Sequence, residues 1–288
     1  MTRRILIAGC GDIGGALGLT LLKQGDEVFG LRRNTAALPP GLTPVSADLS
    51  APLPPGTLPN SLDAVVYTAA ATERSDAGYE AAYVKGVHHL QRALGSPTRF
   101  LFVSSTSVYG QTTGEWVDEA SPTRPARFNG ARVLEAEKLV HAHPGPSTCV
   151  RFGGIYGPKR TRLIRQVLEG TATLKPNPSE GVPLFTNRIH RSDCVAVLRF
   201  LLNLPEAPPI LLGVDSDPAP WNDVLEWIAR RCRKPTPPMG DSPSTSPAQN
   251  KRCRNQLLRD LGYTLNYPGF RDGYGEILDD LRNSPSDS

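Results

Sequence analysis

Six residues near the start of the chain, Gly9-Cys10-Gly11-Asp12-Ile13-Gly14, place glycine at the first, third and sixth positions. They follow the apolar run RILIA and open IGGALGLTLLKQG, where apolar residues recur at helical spacing. In that context the spacing has a chemical meaning. The first glycine permits a tight strand-to-helix turn, the second lets the backbone approach a pyrophosphate, and the third brings helix and strand close, so that the helix N-terminus faces phosphate. Gly9, Gly11, Asp12, Ile13 and Gly14 are therefore expected to hold a dinucleotide. The second strand ends Gly30-Leu31-Arg32-Arg33-Asn34, without the carboxylate that bonds the ribose 2′-hydroxyl in NAD sites. Two guanidinium groups suit a 2′-phosphate, because arginine donates to phosphate oxygens in a rigid fork. Arg32 and Arg33 thus favour NADP over NAD, unless both merely face solvent. Asp48 is placed either to contact the adenine or to cap a turn. Ala69, Ala70 and Ser104, near the ends of later strands, complete the candidate cofactor contacts.

The elements that must position these residues alternate along the first half of the chain. Strand candidates are RRILIAG, DEVFGLR, TPVSA, DAVVYTAA, RFLFVSS and STCVRFG; helix candidates between them are IGGALGLTLLKQG, YEAAYVKGVHHLQRAL and ARVLEAEKLVHAH. Strands that read as continuous apolar runs are buried on both faces. The alternation predicts an α/β protein, a Rossmann-type doubly wound parallel sheet with helices on both sides. Residues 110–128 are polar and proline-broken and read as a surface loop. Later, LIRQVLEG, DCVAVLRFLLN and WNDVLEWIARRC read as helices and ILLGV as a strand. Residues 234–247 read as a Pro/Ser/Gly-rich linker or loop, 251–281 return to helical spacing, and NSPSDS reads as a frayed tail. The expected division is a dinucleotide-binding domain over 1–153, completed by 188–214, with a smaller substrate-side lobe from 154–187 and 215–288.

Three further motifs, in order and at sensible intervals, carry a resemblance. Val103-Ser104-Ser105-Thr106-Ser107-Val108-Tyr109-Gly110, Arg151-Phe152-Gly153-Gly154-Ile155-Tyr156-Gly157-Pro158 and Asn187-Arg188-Ile189-His190-Arg191-Ser192-Asp193 join the glycine turn. Together they resemble the extended short-chain dehydrogenase/reductase superfamily, the NAD-dependent epimerase/dehydratase group, over nearly the whole chain; the C-terminal segment is similar to a divergent, atypical subgroup. The resemblance implies a pocket between the C-terminal lobe and the carboxyl ends of the strands, a nucleotide-sugar or other carbonyl or hydroxyl substrate, and a serine on the active site at Ser105. It also implies a homodimer as a possible assembly. Two departures are visible: Ala8 stands where extended members have glycine, and Tyr83 where they have a helix asparagine.

The larger departure lies in RFNGARVLEAE (127–137). The resemblance implies a tyrosine that exchanges a proton with the substrate oxygen and, four residues on, a lysine that lowers its pKa and holds the nicotinamide ribose. Hydride moves only if the charge on that oxygen is managed at the same time. One register aligns the pair with Phe128 and Arg132; the other, anchored on Glu137, with Asn129 and Val133. Neither contains a phenol. Asn129 can orient a carbonyl without acting as acid or base, and Arg132 can hold a ribose or phosphate but not titrate usefully. Ser105 remains as a hydrogen-bond donor or as a satisfied strand-end residue. Tyr83 and Tyr109 are substitute acids in principle, although most such tyrosines are packing residues. His88, His89, His141 and His143 read as surface positions and His190 as structural. Two functions follow: an oxidoreductase or epimerase-like enzyme with a reworked proton donor, or a silent NADP(H)-binding sensor.

The bulk numbers restrict the alternatives. The chain has 288 residues, 39% hydrophobic and 21% charged, with a net charge of +4. No apolar run reaches the length of a membrane span, and the N-terminus enters a strand without a signal-peptide pattern, which points to the cytoplasm. Five scattered cysteines, without metal-ligand spacing, read as reduced thiols. No nucleic-acid motif accompanies the basic clusters at 158–165 and 230–234. The first of these suits an anionic small-molecule substrate.

Overall fold

The structure is a computed structural model and describes residues 2–95, 98–178, 180–240 and 249–283. In chain order its strands are β1 Arg4–Ala8, β2 Glu27–Arg32, β3 Thr43–Ser46, β4 Ala64–Tyr67, β5 Arg99–Ser105, β6 Glu115–Val117, β7 Ser147–Phe152, β8 Gly154–Tyr156, β9 Arg188–His190, β10 Ile210–Gly213 and β11 Lys251–Cys253. The helices are α1 Asp12–Lys23, α2 Asp76–Tyr79, α3 Gly86–Ala93, α4 Phe128–His141, α5 Arg162–Leu168, α6 Arg191–Asn203, α7 Trp221–Arg231, α8 Gln256–Asp260 and α9 Phe270–Asn283.

The apolar runs do what their composition requires. Every residue of β4 is buried, and Ile5, Leu6, Ile7 and Ala8 of β1 are fully so. Strands buried on both faces need helices on both faces. Seven strands form one sheet in the order β10-β7-β5-β4-β1-β2-β3, and the β1–β2, β1–β4, β2–β3 and β4–β5 ladders are parallel. The strand order reverses at β1, which places the turn after β1 at the switch point of a doubly wound sheet.

By internal contacts the chain divides into two compact units. The first comprises Met1–Val108, Thr123–Arg151 and Val195–Leu211; the second comprises Tyr109–Pro122, Phe152–Cys194 and Leu212–Ser288. The second unit has its own core, in which Ile164 and Val167 of α5, Val224 and Ile228 of α7 and Phe270, Tyr274 and Ile277 of α9 are buried together.

Several local expectations need correction. The polar loop 110–128 contains β6, and the stretch after residue 250 begins with β11, which pairs in parallel with β6 through Lys251↔Glu115, Arg252↔Trp116 and Cys253↔Val117. Helix α4 begins at Phe128, ahead of the apolar periodicity. His143 is buried, not a surface residue, and its Nε2 lies 2.7 Å from Thr98 O. The single helix expected over 79–94 is interrupted: between α2 and α3 the chain widens into a π-type turn over Glu80–Lys85. Part of the expected linker (241–248) and most of the expected tail (284–288) lie outside the described residues. Among the described residues no helix is long and apolar enough to cross a membrane.

Candidate functional site

The glycine turn leaves the carboxyl end of β1. Gly9 sits at φ +81°, a conformation that L side chains rarely adopt, and a Cβ there would fall 2.3 Å from both N and Cα of Ala69. Gly14 is demanded by packing: its Cβ would lie 2.6 Å from Thr68 Oγ1 and 2.8 Å from Ile7 Cγ2. The turn is tied to its neighbours by Gly9 N and Cys10 N, which donate to Leu31 O at 2.9 and 3.1 Å, and by Thr68 Oγ1, which donates to Gly9 O at 2.9 Å. Gly11 differs from the other two. A Cβ there would meet nothing nearer than Gly9 O at 3.8 Å. Contact with the protein's own atoms does not require glycine at that position. Gly11 also caps α1 without a side-chain bond at the anion-favouring end of the helix. Asp12 is exposed and Ile13 buried in the first turn. These residues fit a dinucleotide pyrophosphate.

Arg32, at the end of β2, is held against this turn. Its Nη1 donates to Cys10 O at 3.2 Å and to Ala37 O at 3.1 Å, leaving Nε and Nη2 without a partner among the described residues. Burial pushes the Cys10 thiol up to about 11, with the Arg32 charge pulling the other way. Arg33 is exposed. Asp48 takes the turn-capping alternative: its Oδ1 accepts from Ser50 N at 2.9 Å and Ser50 Oγ at 2.8 Å, and these bonds hold its carboxyl below the usual range. Ala69 backs onto Gly9, and Ala70 beside it is exposed.

At the end of β5 the two serines have different fates. Ser105 Oγ accepts from Ser107 N at 3.1 Å, which leaves its own proton to donate. Ser104 points the other way, into a buried ion pair that sequence reading missed. Its Oγ donates to Glu137 Oε1 at 2.5 Å; Arg151 donates to the same carboxylate from Nε at 2.9 Å and from Nη2 at 2.7 Å. Both charged side chains are almost fully buried, at 3% and 2% exposure. The signal was a lone glutamate at a buried position of α4, but its partner lies 14 residues away on β7.

This pair fixes which way α4 faces. Gly130, Val133, Ala136, Glu137 and Val140 are buried, and a Cβ at Gly130 would fall 2.3 Å from Ser107 O. Asn129 is half-buried and, four residues before Val133, on the same side of the helix. Phe128 and Arg132 lie on the other side, toward α2. Phe128 is 42% exposed and meets Tyr79 edge-on at 5.5 Å. Arg132 donates from Nε and Nη2 to Asp76 at 2.8 and 2.9 Å and from Nη1 to Glu135 at 2.9 Å; Asp76, then Glu135, raise its already high pKa. Of the substitute phenols, Tyr109 is fully buried and donates to Asp118 O at 2.7 Å, so its proton is committed. Tyr83 packs against Tyr79 and Phe102 at 5.3 and 6.3 Å between ring centroids. Burial pushes its phenol up to about 12, Tyr79 adds to the rise, and a backbone hydrogen bond from Ala71 opposes it.

Within the second unit, the basic stretch ends in α5. Arg162 is bonded to Gln166 at 3.2 Å and Arg165 lies 4.0 Å from Glu169. Lys175 stands 4.2 Å over the Trp221 ring, and burial, followed by the Arg162 charge, lowers its pKa. Lys159 adopts φ +67°.

Comparison with known proteins agrees with this geometry. The sequence model of the NAD dependent epimerase/dehydratase family matches residues 5–207. The protein YeeZ of Escherichia coli K12 is 28% identical over 284 residues, covering 92% of this chain and 97% of the relative. Among solved structures, a candidate NAD-dependent epimerase/dehydratase from Methylobacillus flagellatus is 35% identical with a TM-score of 0.78, covering 98% of this chain and 100% of that one. MoeE5, solved in complex with UDP-glucuronic acid and NAD, has a TM-score of 0.81 at 22% identity, covering 97% of this chain and 99% of that one, and shares the fold.

Proposed function

Since this chain belongs to the NAD-dependent epimerase/dehydratase family, we propose that it is an NADP-preferring oxidoreductase acting on a carbonyl or hydroxyl group of an anionic, nucleotide-sugar-like substrate. The observation that carries the cofactor preference is Arg32. One nitrogen anchors the guanidinium to the glycine turn, and two others remain to meet a 2′-phosphate as a fork. Holding an arginine in place beforehand reduces the entropy lost on binding. Gly9, Gly11 and Gly14, with the first turn of α1, would hold the pyrophosphate. When bound, the dinucleotide supplies or accepts hydride. Ser105, with its proton uncommitted, would hydrogen-bond the substrate oxygen. Support for an anionic substrate comes from the positive charges of Arg162 and Lys175, the lysine's pKa being lowered by burial and then by the Arg162 charge. The nucleotide-sugar class is taken from MoeE5, whose complex contains UDP-glucuronic acid.

The test is a fluorescence titration with NADPH and NADH, followed by a carbonyl panel read as loss of nicotinamide absorbance. NADPH should bind more tightly. Arg32→Ala should remove about 1.5–3 kcal/mol, the value of hydrogen bonds to charged groups, which is roughly 10- to 150-fold in NADPH affinity with NADH little changed. Equal loss for both cofactors, or tighter NADH binding by the wild type, overturns the preference. A second reading, binding without turnover, is supported by α4: Arg132 is engaged by Asp76 and Glu135, and no phenol stands at Phe128 or Asn129. Tight binding with no reaction across the panel would favour it.

A further inference from the structure

The geometry points to Tyr83 as the proton donor that replaces the missing tyrosine of α4, acting from the π-type turn on a carbonyl oxygen of the substrate. This rests on the oxidoreductase reading above. Two neighbours locate its phenol. Ala71, whose backbone acts to lower its pKa, lies two residues beyond Ala69, whose N and Cα abut Gly9. Phe102, which meets it edge-on, lies three residues before Ser105 on β5. The phenol therefore stands by the carboxyl ends of β4 and β5, beside the loop that borders the glycine turn and on the strand that carries the candidate serine. Its proton has no hydrogen-bond acceptor among the described residues.

The aim of Tyr83 is built by a device in the helix. Tyr67, at the end of β4, donates its hydroxyl to Ala82 O, the carbonyl that an α-helix would pair with Gly86 N. Gly86 N instead bonds Ala81 O, five residues back. Gly86 must be glycine, because a Cβ there would fall 2.1 Å from Tyr67 Oη. A side chain inserted into the hydrogen-bond ladder widens the turn, and such turns are frequent at functional sites. The aromatic neighbours fix the ring; Tyr109, the other phenol considered, has its proton committed to Asp118.

The step balances as a reduction. The bound reduced dinucleotide supplies the hydride. The carbonyl carbon gains that hydrogen with two electrons, the carbonyl π pair moves to oxygen, and that oxygen takes the proton from Tyr83 Oη. One C–H and one O–H bond form; the hydride donor's C–H, the carbonyl π bond and the phenol O–H break, the dinucleotide is oxidised by two electrons, and water returns a proton to the phenolate. A phenol held near 12 is fully loaded at neutral pH and is a poor base there, which fits donation to an alkoxide better than abstraction from an alcohol.

The experiment compares wild type with Tyr83→Phe, which keeps the ring stack, and with Tyr79→Phe as the packing control. Reduction of a responsive carbonyl should fall by about 10²- to 10⁴-fold in Tyr83→Phe, the usual worth of a positioned acid. NADPH affinity should be unchanged, and Tyr79→Phe should stay within a few-fold of wild type. Equal losses in both variants would reduce Tyr83 to packing and overturn the proposal. A second readout is independent of turnover. The Tyr83 component of the ultraviolet phenol titration, taken as wild type minus Tyr83→Phe, should move to lower pH when NADP⁺ is added, because a positive nicotinamide ring favours a nearby phenolate. If that component does not move although NADP⁺ binds, the proposal fails whether or not a substrate is found. If it moves while no carbonyl in the panel reacts, Tyr83 stands beside the nicotinamide as placed, but the oxidoreductase reading fails and donation to a carbonyl fails with it.

Discussion

Breaking the buried pair Glu137–Arg151 should destabilise the first unit far more than replacing it whole. Both side chains are essentially out of water, joined by bonds of 2.9 and 2.7 Å, with Ser104 donating a third at 2.5 Å. In Arg151→Met the carboxylate stays buried with only Ser104 to answer it; in Glu137→Gln the buried guanidinium loses the carboxylate charge to which Nε and Nη2 donate. An uncompensated buried charge costs about 3–5 kcal/mol. For a unit of this size that corresponds to roughly 6–20 °C in midpoint, at about 2–4 °C per kcal/mol. The double variant Glu137→Leu/Arg151→Met removes both charges and strands the Ser104 hydroxyl, so it should lie about 1–3 kcal/mol below wild type. The assay is a urea titration followed by far-ultraviolet circular dichroism. Trp116, Trp221 and Trp227 all belong to the second unit, so tryptophan fluorescence does not report on the pair. Single variants within about 1 kcal/mol of wild type, or a double variant as unstable as the two singles combined, would refute the reasoning. The pair bears on function because Glu137 orients the helix that carries Asn129, Gly130 and Arg132.

Two glycine substitutions should separate packing from ligand binding. Gly9→Ala forces a side chain into φ +81° and against the Ala69 backbone, and should lower the thermal midpoint as well as abolish dinucleotide binding. Gly11→Ala meets no protein atom closer than 3.8 Å and should leave the midpoint unchanged while weakening binding at least tenfold by titration; a midpoint loss equal to that of Gly9→Ala would contradict the distinction. The Cys10 thiol, pushed up to about 11, should react slowly with iodoacetamide until well above pH 9, read by mass spectrometry of the modified peptide; rapid labelling at pH 7 would show that the turn is not packed as described. Tyr109→Phe should cost about 1–3 kcal/mol in chemical denaturation by stranding Asp118 O, while carbonyl reduction at a permissive temperature stays near wild type.

The glycine turn, the parallel strands and the departure from the family's catalytic pair were all legible in the sequence, because each is carried by neighbouring residues. Glycine spacing reports local backbone needs, and a continuous apolar run reports burial on both faces. The uncertain register of RFNGARVLEAE could not be settled that way. Helical periodicity shows that a helix exists, but which face turns inward was decided by Arg151 receiving Glu137 and by Ser107 pressing on Gly130. The parallel pairing of β6 with β11 joins three-residue strands more than 130 positions apart, too short to leave a pattern. The π-type turn depends on one hydroxyl of β4 reaching Ala82, and the sequence around Tyr83 looks like uninterrupted helix. Local steric and apolar preferences act between residues adjacent in the chain and can be read there. The partner of a buried charge, or of a carbonyl drawn out of its helix, is chosen only when the folded chain brings distant atoms within hydrogen-bond reach.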